Sequence, residues 1–314
     1  MTADINFLTA AALIERYRAG SLSPVEVVEA ALARIDRLEP TLNAFQYVDG
    51  EAARAAALLS GERWRRATPR GALDGLPITI KDMVLTRGWP TLNGSRTTNP
   101  DQSWAEDAPA VARLREAGAI LLGKTTTPEF GWKGMTDSPL RGVTRSPWNP
   151  AHTPGGSSGG AAASLAAGIG ALALGTDGGG SIRIPASYCG LFGFKPTWGR
   201  VPHYPQTSPF GNLTSGGPIA LCVADAALML TELAKPDPRD GTALPHKARD
   251  YRHGLDDGVR GLRVAFAPGL GGAQPRPEVL THVALGVSAL RDAGAHIVEV
   301  GSVIEPLRPA FEAY

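Results

Sequence analysis

Residues 153–196 read TPGGSSGGAAASLAAGIGALALGTDGGGSIRIPASYCGLFGFKP. After the first glycine–serine cluster, Gly160 to Gly168 reads as a helix and Ala171 to Leu174 as a strand. The second cluster, GTDGGGS, places Gly178, Gly179 and Gly180 directly before Ser181. Three glycines in a row let successive N–H groups turn toward one point, which makes a small anion-binding concavity beside the serine. A serine is a poor nucleophile until a nearby base takes its proton, so the search for that base leads upstream.

Upstream, Leu76 to Ile80 (LPITI) is a short apolar, β-branched run that reads as a buried strand, and Lys81 ends it. A lysine held in an apolar setting can be a base. Around this pair the helix–strand pattern repeats. Ser23, Pro24 and Glu26 supply a cap, an N1 proline and a capping-box acid for a helix expected to end before Pro40. Glu51 to Arg66 reads as a second helix. DAPAVARLREAG from Asp107 gives a helix stopped by Gly118, and AILLGK gives the strand after it. Val223 to Ala234 reads as a helix, Leu262 to Ala267 as a strand, and Pro277 to Ala293 with His296 to Val300 as one more helix–strand unit. No internal repeat is present. The polar stretch from Lys235 to Gly258 is the best linker candidate. The expected fold is α/β, with one mixed, mostly parallel central sheet covered by helices on both faces.

Composition narrows the function classes. The 314 residues suffice for one large core or two smaller ones. Hydrophobic residues make up 43% and charged residues 19%, which fits a globular α/β protein rather than a disordered or fibrous one. The 31 basic and 30 acidic side chains nearly cancel, and no run of basic residues offers a footprint for a phosphate backbone, so no nucleic-acid partner is expected. Cys189 and Cys222 suggest no disulfide framework and read as small core residues. Asp4 and Glu15 interrupt what a secretory signal would need, and the uncharged stretch His152 to Thr176 is too rich in Gly, Ser, Pro and Thr for a membrane span. A cytoplasmic chain without a membrane partner is expected.

Lys81, GGSSGG with Ser157, and GTDGGGSIR with Ser181 stand 76 and 24 residues apart. In order, spacing and flanking sequence they resemble the amidase signature family of serine hydrolases, and the resemblance covers most of the chain. It implies Ser181 as the acylated nucleophile and an oxyanion hole on the main-chain amides of Gly178, Gly179, Gly180 and Ser181. It also implies Ser157, after a cis peptide bond, as the bridge to Lys81. Lys81 must be neutral to accept a proton, and burial can lower its pKa far enough. The implied reaction is hydrolysis of a carboxamide C–N bond through a seryl acyl-enzyme, without metal or organic cofactor. Some relatives also cleave esters or carbamates.

Each of these residues has a plainer reading taken alone: a lysine after a strand is usually solvated, and Ser/Gly clusters are usually loops. Ser158, Asp177 and Arg183 are supporting residues; the last two flank the nucleophile loop, where they could act as catalytic helpers but read better as a structural ion pair or as backbone hydrogen-bond partners. Spacing alone would also allow Ser158 or Ser157 as nucleophile. Gly156, Ser158 and Gly160 satisfy GxSxG, the nucleophile elbow of α/β-hydrolases, and Asp256 or Asp257 with His282 or His296 would complete an esterase triad in the right order. That rival leaves the second glycine cluster unexplained. None of the six histidines forms a pair at metal-ligand spacing, so no metal site is expected.

The resemblance frames the chain as a single domain over 1–314, with a helical part at 1–65 and a catalytic core at 66–314. Family domains continue past this point, so the C-terminal part is expected to be missing. Two further readings stay open: an amidotransferase A-type subunit working in a complex, and a truncated scaffold without turnover. Gly178 stands where relatives often carry a bulkier residue, and Leu221–Cys222 replace an arginine and a small hydroxyl residue. Residues 131–136 are implied to line the acyl pocket, where Trp132 would favour an apolar or aromatic acyl group unless it packs in the core. The partners expected are a small amide substrate and, at most, a second copy in a homodimer.

Overall fold

The computed structural model describes residues 4–206, 211, 213–270 and 273–301. The chain divides into two compact units, the first ending at Arg252. In the first, α1 (Ala10–Arg18), α2 (Pro24–Leu42), β1 (Phe45–Val48), α3 (Gly50–Arg65) and β2 (Pro77–Lys81) follow one another. Next come α4 (Pro109–Glu116), β3 (Ile120–Thr125) and a two-residue hairpin pair, β4 (Asp137–Ser138) and β5 (Gly142–Val143). The remainder is α5 (Gly159–Ala166), β6 (Leu172–Asp177), α6 (Arg183–Cys189), β7 (Phe192–Gly193), β8 (Ser215–Ala220) and α7 (Val223–Leu233).

Six strands form one sheet in the order β1-β3-β2-β6-β8-β7. It is parallel at its centre, where β2 pairs with β3 and β6, and antiparallel at both flanks. Side chains alternate between its faces, as a period of two requires. Ile78, Ile80, Leu121, Leu172 and Leu174 pack with Leu13 of α1, Leu114 of α4 and Met229 of α7. On the opposite face Ile120 and Leu122 meet α2, α3 and α5, while Ala173 meets α5 and α6. β2 is buried along its whole length because both neighbours are strands and both faces carry helices. A residue at its carboxyl end is thereby held away from water.

Two expectations need correction. The helix beginning at Pro24 does not stop before Pro40 but runs through it to Leu42, where Asn43 caps it at φ 49°. Pro40 is exposed and lies in the last turn, so the hydrogen bond it removes is replaced by solvent. The last two predicted strands do not join the central sheet. β9 (Arg263–Phe266) and β10 (His296–Glu299) pair in parallel in a sheet of their own, with α8 (Pro277–Asp292) between them, in the second unit. Period and composition mark a strand but do not name its neighbour. Among the described residues no helix is long and apolar enough to cross a membrane.

Candidate active site

Lys81, the last residue of β2, is fully buried, and its Nζ donates to Ser157 Oγ at 2.7 Å and to Thr176 Oγ1 at 2.8 Å. Three elements meet there: the end of β2, the loop before α5 and the end of β6. Burial removes the ammonium from water and brings the Lys81 pKa down to about 7, against a weaker opposing pull from the Asp177 carboxylate. An amine poised there exchanges protons near neutrality.

The Gly156–Ser157 peptide is cis. Residues 131–136 run alongside this loop. A methyl group on Gly131 would lie 2.6 Å from Met83 Sδ and 3.2 Å from Ser157 Oγ, and one on Gly156 would lie 2.7 Å from the Met135 carbonyl oxygen. Ser157 is therefore walled by the segment implied to line the acyl pocket. Trp132, by contrast, is 84% exposed and packs in no core.

Asp177, at the end of β6, organises the turn that carries Ser181. Its buried carboxylate accepts from Gly180 N at 2.8 Å, Ile182 N at 3.1 Å and Arg183 N at 3.3 Å. Arg183 closes a bidentate pair with it, Nε and Nη2 each at 2.9 Å. Burial pushes the Asp177 carboxyl up, but the guanidinium and main-chain donors outweigh it and hold it below the usual carboxylate range. Gly180 has φ +119°, a conformation open to glycine. Its N–H is committed to Asp177, whereas among the described residues the N–H groups of Gly178, Gly179 and Ser181 meet no acceptor. Asp177 thus turns one amide inward and leaves three available.

The Ser181 carbonyl accepts from Ser158 N at 3.0 Å, which stitches the two serine loops side by side. Ser181 itself is half-buried. Ser158 is fully buried, and its hydroxyl donates to the Thr176 carbonyl at 3.2 Å and accepts from Thr176 N at 3.3 Å. That commitment makes Ser158 a strut between α5 and β6 rather than an elbow nucleophile. Asp256, Asp257, His282 and His296, the remaining members of the esterase alternative, are exposed residues of the second unit.

Sequence reasoning misses Thr176, although GTD sits in the same motif as Ser181. Its only signal is position, one residue before the carboxylate. A second buried lysine is equally silent in the sequence. Lys124 on β3 is fully buried and bonds the Val84 carbonyl, Thr91 Oγ1 at 2.8 Å and Thr86 Oγ1 at 3.3 Å. It anchors the loop that leaves β2.

Residues 26–311 match the Amidase family. The A-type subunit of the glutamyl-tRNA(Gln) amidotransferase of Chloroflexus aurantiacus is 42% identical over 299 residues, 95% of this chain and 61% of that protein. An acylamidase of Rhodococcus erythropolis is 41% identical over 94% of this chain and 62% of its own length. The crystal structure of a bacterial aryl acylamidase of the amidase signature enzymes superimposes with a TM-score of 0.90 at 33% identity, covering 98% of this chain and 64% of that one. The peptide amidase of Stenotrophomonas maltophilia follows with a TM-score of 0.84 at 33% identity and the same coverage. The chain thus spans less than two thirds of the length of these relatives. With the family match over nearly its whole length and this fold, the chain belongs to the amidase signature family.

Proposed function

We propose that this chain carries the acyl-transfer centre of an amidase, in which Ser181 attacks a carboxamide carbon. Lys81, as the neutral amine, takes the proton of the Ser157 hydroxyl while Ser157 takes that of Ser181. The new Ser181 Oγ–C bond puts negative charge on the carbonyl oxygen, which the N–H groups of Gly178, Gly179 and Ser181 receive. Collapse breaks the C–N bond, and the proton held on Lys81 returns through Ser157 to the leaving amine. Water then adds to the acyl-enzyme by the same relay, giving carboxylate and free Ser181.

The observation that supports this reading is the buried Lys81 amine bonded to Ser157 Oγ beside a turn whose Gly178, Gly179 and Ser181 amides meet no acceptor among the described residues. Fluorophosphonate labelling of the purified protein tests it. The label is expected on Ser181, to be absent in Ser181→Ala and strongly slowed in Lys81→Ala. Undiminished amide turnover in Ser181→Ala would overturn the assignment. Purified protein assayed on aryl, aliphatic and peptide amides identifies the substrate class.

A second reading, ammonia release within an amidotransferase complex, is favoured by the 42% identity to the amidotransferase relative. Copurification with partner proteins, and glutamine as the amide hydrolysed, would distinguish it.

A further inference from the structure

We propose that the first unit holds a second binding site, for a small phosphate-bearing molecule, in the cavity framed by Arg63, Arg70, Arg87 and Arg115. The open cavity measures about 290 Å³, and its lining includes exposed Leu59 and buried Ile120. Its basic residues come from α3, the loop after it, the loop after β2, and α4, so no basic run in the sequence announces them.

Two carboxylates build the site. Asp74, fully buried, binds the Arg63 guanidinium through Nε at 2.8 Å and Nη2 at 2.6 Å, and also accepts from the Arg70 main-chain N–H at 2.7 Å. Asp107 accepts from the Arg87 main-chain N–H at 2.8 Å and lies 3.2 Å from Arg115 Nε. Each acid thus holds one arginine side chain and the backbone of another. The guanidinium groups of Arg70 and Arg87, both exposed, bond to no described residue, while Arg115 Nε faces Asp107 without hydrogen-bond geometry and its Nη2 donates to the Arg87 carbonyl at 3.4 Å.

Four guanidinium groups against two carboxylates leave an excess of two positive charges around one concavity. Water screens the exposed pair when the site is empty, but the planar fork of each free guanidinium matches phosphate oxygens two at a time, so one anion can engage both. Apolar contacts from Leu59 and Ala56 are available to a compact organic body on the phosphate. The chain's overall charge of +1 hides this local excess. Ile120 pairs with Pro77 at the start of β2, whereas Lys81 ends that strand, so the cavity and the lysine lie at opposite ends, about 13 Å apart along it.

Calorimetric titration with inorganic phosphate and pyrophosphate, at constant ionic strength set with chloride, tests the site. Saturable binding of one pyrophosphate per chain is expected, weakened about tenfold or more in the Arg70→Ala/Arg87→Ala double variant, with partial recovery in the double Lys variant. Neither guanidinium bonds to a described residue, so the variant is expected to melt with the parent and to keep its fluorophosphonate labelling. Absence of binding at matched ionic strength, or equal binding by the folded double variant, would overturn the proposal. So would tight binding of a short RNA without measurable affinity for pyrophosphate.

Discussion

Lys81 Nζ and Ser157 Oγ stand 2.7 Å apart across 76 positions of sequence, and neither residue is more than 1% exposed. Their contact depends on the sheet. Only a strand flanked by two others and covered on both faces delivers a lysine to the interior, and only there is the amine cheaply neutral. The fold therefore brings an amine that is charged in water to a pKa of about 7, where it can accept a proton.

The first consequence concerns pH. Burial lowers the Lys81 pKa to about 7, so below that value the ammonium cannot accept a proton and above it the amine can. Labelling of Ser181 and kcat/KM for an amide are expected to rise through pH 7 and then level off. A profile that is flat from about pH 5 to 9 would contradict the base role. In the unfolded chain the same lysine keeps its proton up to its ordinary value of 10.5. The unfolded state binds the extra proton between those limits, so this group's contribution to stability grows as pH rises from about 7 to 10.5.

Thr176 offers a sharper probe of the same amine. Its hydroxyl accepts from Lys81 at 2.8 Å and so favours the charged form. Replacing it by Val leaves a buried donor with one partner fewer, a loss on the order of 1–3 kcal/mol. We expect kcat to fall about tenfold while the acid limb of the pH profile moves below 7, since the ammonium has lost a partner. Thr176→Ser should restore both. A fall in kcat with an unmoved limb would mean that Thr176 only packs.

The pattern of what the sequence disclosed follows from this chemistry. β2 and β3 were readable because apolar, β-branched runs have few other uses, and the capping box of α2 because its hydrogen bonds are local. β8 was not readable: SGGPIA carries two glycines and Pro218, which read as a turn, and only pairing with β6 and β7 makes it a strand. At the site, order and spacing marked Lys81, Ser157 and Ser181. Which amide each carboxylate engages was invisible, because Gly178, Gly179 and Gly180 are identical letters and only the turn geometry commits Gly180 to Asp177.

Two glycines near the serine loop separate function from folding. Gly131 has φ +70°, and a methyl group there would press on Met83 Sδ, a flexible atom, and on Ser157 Oγ. Gly131→Ala is expected to fold, at a cost of about 1–2 kcal/mol for its left-handed backbone, while labelling slows more than about tenfold, because the thioether can move but the Ser157 hydroxyl then shifts. A methyl group on Gly160 would meet the main chain itself, 2.5 Å from Ala44 O and from Thr126 N. Neither can yield, so Gly160→Ala is expected to cost at least about 3 kcal/mol and to give little soluble protein. Equal melting temperatures for the two variants would refute this distinction.

Asp177 and Arg183 divide unequally the work of shaping the turn that carries Ser181. Removing the carboxylate in Asp177→Ala strands the amides of Gly180 and Ile182 and frees the donor that now points inward, at a cost of about 3 kcal/mol. Removing the guanidinium in Arg183→Ala leaves the carboxylate its three main-chain donors, and Arg183 is already 54% exposed, so the cost is about 1 kcal/mol. For a chain of this size those figures correspond to losses of about 5 °C and 1.5 °C in Tm. Labelling of Ser181 should fall in the same order. Burial raises the Asp177 carboxyl but its donors hold it below the usual value, so its share of stability is present at neutral pH and is lost as pH falls through that lowered value. Without Arg183 the lowering weakens, and acid unfolding is expected to begin at a higher pH. An acid transition that stays where it was in Arg183→Ala would show that the main-chain N–H groups alone hold the carboxylate charged.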